Sequence, residues 1–161
     1  MHHTIWFRDV RKTPLEDVLN AVAGAVVEAQ FEVAPAAGIR TADVIAAIRT
    51  PLLTLGFDAP HAGLQLEAST DGTAGVIAAD GFDRQFGVSV HVHGGRALTN
   101  NEALYSVLRA AAADAVLACA LVVPERYKGG QCALPIVRQL QQLAAWEGVT
   151  LNLDAACVIA Y

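Results

Sequence analysis

What this chain lacks narrows the field first. None of its apolar runs reaches the length of a membrane span, and the longest, from Ala110 to Pro124, is broken by Asp114. The opening stretch MHHTIWFRDVRK holds no apolar signal core. The sequence therefore predicts a cytoplasmic protein with no membrane segment. His2 and His3 look like the remnant of a tag and carry no functional reading. A basic surplus is missing too: net charge is −5 and the pI is near 5.4. Nucleic-acid binders draw affinity from neutralising phosphates, so overall charge argues against tight non-specific DNA binding, though not against a local basic patch.

Cysteine is scarce. Cys119, Cys132 and Cys157 lie far apart, with no CxxC spacing. That pattern excludes a disulfide framework and fits reduced thiols. Catalytic use of Cys132 would need a histidine partner that the sequence does not supply nearby. No GxSxG, HExxH, paired CxxC or GxGxxG occurs with its required context, so the commonest hydrolase and dinucleotide-binding signatures are absent.

What is present is apolar. Hydrophobic residues make up 54% of 161 residues and charged ones 17%, which fits one folded domain spanning 1–161. Thr13-Pro14 opens a helix: Thr13 suits the N-cap, and Pro14 suits the first helical position. Leu15, Val18, Leu19, Val22, Val26 and Val27 recur at helical spacing. VAPAAGIR reads as a loop. Thr41 caps a second helix, which kinks or restarts at Pro51 and ends at Gly56. Strands are expected near residues 63–69, 75–80 and 85–93, with a TDG turn between the first two. Thr99 or Asn100 caps a helix with Leu104, Val107, Leu108 and Ala111 on its apolar face. VLACALVVP reads as a strand buried on both faces. RYKGGQC is a loop, followed by a helix over about 134–147 and a strand over 150–159. The order α, α, β, β, β, α, β, α, β predicts an α/β fold: a mixed β-sheet flanked by helices, with an antiparallel meander leading into parallel neighbours.

One stretch raises a chemical question. In FGVSVHVHGG, Val88, Val90 and Val92 alternate with Ser89, His91 and His93. A strand puts the valines on one face and both histidines on the other. Two imidazoles at that spacing, with Asp83 nearby, fit either a metal site or polar residues satisfied by neighbours and water. For Asp83 the plain alternative is a turn cap or a salt bridge with Arg84. Arg84 and Arg96 flank the hairpin and can reach phosphate, and PERYKGGQ, with Arg126 and Lys128, fits a phosphate- or partner-binding loop or an exposed connection. Glu102 and Arg109 are expected to face solvent. Trp6 and Trp146 read as core or interface aromatics.

The stretch from Thr41 to Pro124 resembles the core of the restriction-endonuclease-like, or PD-(D/E)XK, nuclease superfamily, and within it the BglII- and BamHI-type branch. The resemblance rests on IRTPLLTLGF, similar to the helix before the first core strand, and on GFDRQFGVSVHVHGG, similar to the catalytic hairpin. NNEALYSVLRAAAADAVLACALVVP is similar to the helix and buried strand that follow. It implies an αβββαβ core, here with an N-terminal helix and a C-terminal αβ extension. It also implies catalytic and metal-binding roles for Asp83 and for the positions of His91 and His93, and nucleic-acid contacts for Arg84, Arg96 and Lys128. The family keeps an acidic ligand where His91 stands, and Lys, Glu or Gln where His93 stands.

Mg²⁺ takes oxygen ligands, whereas neutral imidazole prefers transition metals. The resemblance therefore implies a degenerate site that acts by binding or assembly in a nucleic-acid-processing or defence system, with nucleic acid or a partner protein as ligand. A second expectation is a nuclease or other hydrolase holding a divalent transition metal at Asp83, His91 and His93, with Asp80 and Glu67 as candidate substitutes. A third is a homo-oligomeric structural protein without nucleic acid, since high apolar content also suits buried subunit interfaces.

Overall fold

The computed structural model describes residues 1–8, 13–29, 40–60, 64–68, 75–98 and 100–161. The loop expected over VAPAAGIR (apart from Arg40), the TDG turn and Thr99 lie outside the described residues, as do the side chains of Thr13 and Glu67; the helix expected to be capped by Thr99 or Asn100 has Asn101 as its N-cap. The elements run β1 (His2–Trp6), α1 (Thr13–Ala29), α2 (Thr41–Thr54), β2 (Leu64–Ala68), β3 (Gly75–Ala79), β4 (Gly81–Asp83), β5 (Val88–Val92) and α3 (Glu102–Ala111). They continue with β6 (Ala118–Val123), β7 (Arg126–Tyr127), β8 (Gly130–Gln131), α4 (Ala133–Ala144) and β9 (Ala155–Ala160). The fold is α/β: a mixed five-stranded sheet, ordered β1-β9-β6-β5-β4, flanked by four helices.

The centre of the sheet is parallel. β6 pairs with β5 on one side and β9 on the other, and every residue of β6 is fully buried. This is the strand expected from the unbroken apolar run, and burial on both faces is why it does not alternate. Ala118, Ala120 and Val122 face α1 and α2, together with Val88, Val90 and Val92 of β5. Cys119, Leu121 and Val123 face α3 and α4. Two apolar clusters thus sit on opposite faces of one sheet. Alanines at Ala118, Ala120, Ala155 and Ala156 leave room for the helices to approach closely.

Each helix buries one stripe. α1 turns Leu15, Leu19, Val22, Ala23 and Val26 inward, while Val27 is exposed. α2 buries Val44, Ile48 and Leu52 and runs unbroken through Pro51. The proline forfeits one bond to the carbonyl four residues earlier. The turn nevertheless continues, because Leu55 N–H donates to Pro51 O and the Thr54 hydroxyl donates to Thr50 O.

The structure departs from the sequence pattern at further points. β1, for which the sequence gives no strand signal, pairs antiparallel with β9, from His2 opposite Ile159 to Trp6 opposite Ala155. The expected meander is bent. β2 pairs with β3 in a small separate sheet, and after a break at Asp80 β4 joins the main sheet beside β5. The loop RYKGGQC holds a short hairpin, β7–β8, whose turn places Lys128 and Gly129 at φ 49° and 81°. On α3 the buried stripe is Ala103, Ser106, Val107 and Ala110, so Leu108 of the expected face is exposed.

The packing yields a direct test. Leu19→Ala, which empties a fully buried site between α1 and the sheet, lowers unfolding free energy by about 2–5 kcal/mol. Val27→Ala, one face round the same helix, changes it by less than about 0.5 kcal/mol. Denaturant titration of both variants measures the difference.

Candidate functional site

β5 carries the histidines as its alternation requires. Ser89 and His91 point to the α3–α4 side, away from the three valines. His91 is only 4% exposed. Its Nε2 lies 3.1 Å from the Ser89 hydroxyl, and that hydroxyl reaches Ala118 O at 3.5 Å. Which of the two donates in the His91–Ser89 bond depends on the imidazole's tautomer. Burial pushes the His91 pKa down to about 4, with neighbouring His93 adding to the shift and a backbone bond at Ala78 opposing it. Cys119, hydrogen-bonded to the same serine, is pushed up to about 12 by burial. The result is a neutral polar chain inside an apolar layer, satisfied internally.

His93 lies just past the end of β5 and differs in one respect. Its Nε2 is buried and has no hydrogen-bond partner. Burial lowers its pKa, and the carboxylate of Glu102 on α3 opposes the shift. Its backbone is held on two sides: His93 N–H donates to Val122 O, and the Tyr161 hydroxyl donates to His93 O at 3.1 Å. Glu102 is half-buried rather than solvent-facing, whereas Arg109 is exposed.

Asp83 does not join the histidines. It pairs in register with Val88, so it belongs to the valine face of the sheet. His93 lies five residues further along β5, about 16 Å at strand spacing. The Asp83 carboxylate is spent locally: Oδ1 accepts from Gln85 N–H at 2.7 Å and Phe86 N–H at 3.1 Å, closing the turn from β4 to β5. Gly87 completes that turn at φ 64°, where a Cβ would sit 2.7 Å from Ala115 O. The turn-cap alternative thus describes Asp83. Among the described residues no group of three or more His, Cys, Asp or Glu side chains is placed to hold a metal ion. The structure does not bring Asp83 together with His91 and His93.

Asp80 binds the backbone of the same strand, β5. Its Oδ2 accepts the N–H of Val92, the residue between His91 and His93, at 2.7 Å. Burial raises its pKa, and the Val92 bond partly offsets this. Asp80 falls at the break between β3 and β4, where a side chain substitutes for a ladder carbonyl. Its position twelve residues before Val92 was visible in the sequence; its role depends on the bend.

The basic residues divide between the two ends of β5. Arg84 sits in the β4–β5 turn, its Nε 2.6 Å from Asp58 Oδ2 and its guanidinium above the Phe82 ring. Arg96 follows the far end of the strand. A Cβ on Gly95 would run into the Tyr127 ring, so the β7–β8 hairpin lies against that loop and brings Lys128 to the same end as Arg96. Lys128 Nζ stands 5.4 Å from the centre of the Tyr127 ring. Cys132 is buried at the start of α4, and burial raises its pKa, the reverse of nucleophile activation. Trp146 is 63% exposed, so it is no core aromatic; Trp6 packs against the α1–α2 cluster. No protein-family model matches the chain, and no curated protein does either. Among the described residues no helix is long and apolar enough to cross a membrane.

Two measurements test this geometry. His91 binds its proton less readily folded (pKa about 4) than unfolded (about 6.5), so its contribution to stability is intact above pH 6.5. It falls as pH drops towards 4, by roughly 3 kcal/mol in total. NMR titration is expected to show the His91 imidazole still neutral at pH 5, and titration near the free value would refute the burial account. Asp83→Ala is expected to cost about 1–3 kcal/mol by stripping two turn N–H groups of their acceptor. The histidine titrations should remain unchanged in that variant.

Proposed function

We propose that this chain is a restriction-endonuclease-like domain that works by binding or assembly in a nucleic-acid-processing or defence system, without standard Mg²⁺-dependent cleavage. The observation that carries the reading is the fate of the three positions where such a nuclease keeps its cleavage machinery. Asp83 caps a turn on one face of the sheet, His91 is tied to Ser89 on the other, and burial disfavours the charged form of His93. Phosphodiester hydrolysis needs a cation to neutralise developing charge and generate hydroxide, and anionic oxygen ligands to hold Mg²⁺. These three residues do not combine to offer them.

The order of elements supports the kinship. α2 is followed by β2–β3, β4, β5, α3 and β6, with β5 and β6 parallel. That is the α–βββ–α–β run, with β3 and β4 read as one bent strand. Exposed Tyr105 and Leu108 on α3 and Trp146 beyond α4 favour contact with a partner protein over contact with phosphate, as does the net charge of −5. Where nucleic acid is the ligand, the end of the sheet bearing Arg96 and Lys128 is the contact surface.

Anisotropy with a fluorescent duplex, run beside a plasmid-cleavage assay in Mg²⁺ and Mn²⁺, tests the reading. No cleavage is expected with either ion. Any duplex binding should weaken in Arg96→Ala and Lys128→Ala and survive in Arg84→Ala, which alters the opposite end. Mg²⁺-dependent cleavage that disappears in Asp83→Ala would overturn the proposal.

A further inference from the structure

The two edges of the main sheet are finished differently. At the β4 edge, Phe82 turns its N–H and C=O outward, and Asp58 takes both. Asp58 N–H donates to Phe82 O and Phe82 N–H donates to Asp58 O, each at 2.9 Å. β1 forms the other edge. Its pairing with β9 is antiparallel; Phe7 N–H donates to Asp154 O at 2.8 Å, and Ala160 N–H donates to Met1 O at 2.9 Å. Hydrogen-bonded pairs alternate with non-bonded ones along such a ladder. Odd-numbered residues therefore spend their N–H and C=O groups on β9, and those of His2 and Thr4 point away from the sheet. Among the described residues nothing pairs with them. His2 and His3 are exposed and Thr4 is half-buried, so the flanking helices do not overhang this end of the strand.

Sheet edges are ordinarily protected by a lysine, an inward charge, a proline or a bulge. HHTIW carries no Lys, Arg, Asp, Glu or Pro, and its register with β9 runs unbroken. What the edge offers is bare backbone, and the complement of bare backbone is another strand. Such an edge is also complementary to itself, because a two-fold axis sets each outward donor against an outward acceptor of the same kind of strand.

We infer that the open edge of β1 binds the β1 edge of a second copy of this chain, antiparallel, so that one sheet runs through both. The register follows from which groups are open. His2 of each copy pairs with Thr4 of the other, each pair exchanging N–H···O=C bonds in both directions. His3 then meets its own counterpart on the axis at a non-bonded position, with Cα atoms about 4.5 Å apart. Met1, 66% exposed, lies opposite Ile5 of the second copy. β9 and β6 separate this edge from β5, and the inference does not depend on the reading of Asp83, His91 and His93.

Sedimentation equilibrium on the full chain with no added N-terminal tag, from micromolar to millimolar concentration, tests this together with amide hydrogen exchange. A monomer–dimer equilibrium is expected. The Thr4 amide should become protected as the dimer forms, while the Ile5 amide is protected throughout. Thr4→Pro removes an outward N–H but no bond to β9, and should weaken the dimer at least about tenfold. Thr4→Val loses the hydroxyl but keeps the N–H, and should dimerise as the parent does. His3→Lys, at an exposed position, sets two ammonium groups opposite each other and should also weaken the dimer about tenfold, which decides the matter if Thr4→Pro does not fold. The inference fails if the mass stays that of a monomer up to millimolar concentration, if the Thr4 amide exchanges equally fast in monomer and dimer, or if His3→Lys dimerises as tightly as the parent.

Discussion

Everything in this molecule hangs on the pairing of β6 between β5 and β9. All six residues of β6 are buried on both faces, so helices must cover both sides of the sheet. That requirement places α1 and α2 over one face and α3 and α4 over the other. It also decides the fate of any polar side chain on the neighbouring strand. Ser89 and His91 stand on β5, beside Cys119 and Leu121 of β6, in a layer closed off from bulk solvent. Bonding to each other and to the Ala118 carbonyl is the cheap solution, and a neutral imidazole is the form that layer tolerates.

Register separates what sequence proximity had joined. An antiparallel pair shares a face, and the turn Arg84–Gly87 sets Asp83 opposite Val88 rather than opposite a serine or histidine. A slip of one residue would have put the carboxylate on the histidine side. The turn prevents the slip through Asp83 itself, whose Oδ1 binds the two N–H groups that fix the loop. The side chain proposed as a ligand is therefore the device that keeps itself away from the histidines. Asp80, at the break between β3 and β4, binds the same strand, but as an acceptor for its backbone.

The parts legible in the sequence are those governed by local periodicity. VSVHV showed its two faces by alternation, VLACALVV its double burial, and Leu15 to Val26 its helical stripe. What stayed hidden depends on distant partners. β1 is five residues long and is a strand because residues 155–159 lie beside it. The α3 stripe was misjudged because Leu outranks Ala as a core residue by type, whereas the narrow space over the sheet takes Ala103 and Ala110 and leaves Leu108 outside. The β7–β8 hairpin had a signal: Lys-Gly-Gly suits a tight turn with two positive φ values.

Two histidines rather than a charged pair on this strand are intelligible as a problem in burial. An acidic ligand and a lysine on this strand would each carry charge into a layer that allows His91 4% exposure, and a bound cation is what makes such a set affordable. Neutral imidazoles remove that dependence: the strand can close against α3 and α4 with no ion present. The two rings are not equivalent in what they would give up to reverse this. For His91 to coordinate anything through Nε2, the bond to Ser89 must break inside a buried layer. His93 Nε2 has no bond to lose, and Glu102 stands near enough to favour positive charge there. Whatever chemistry remains open to this hairpin is therefore concentrated on one nitrogen, at the mouth of the strand rather than in its middle.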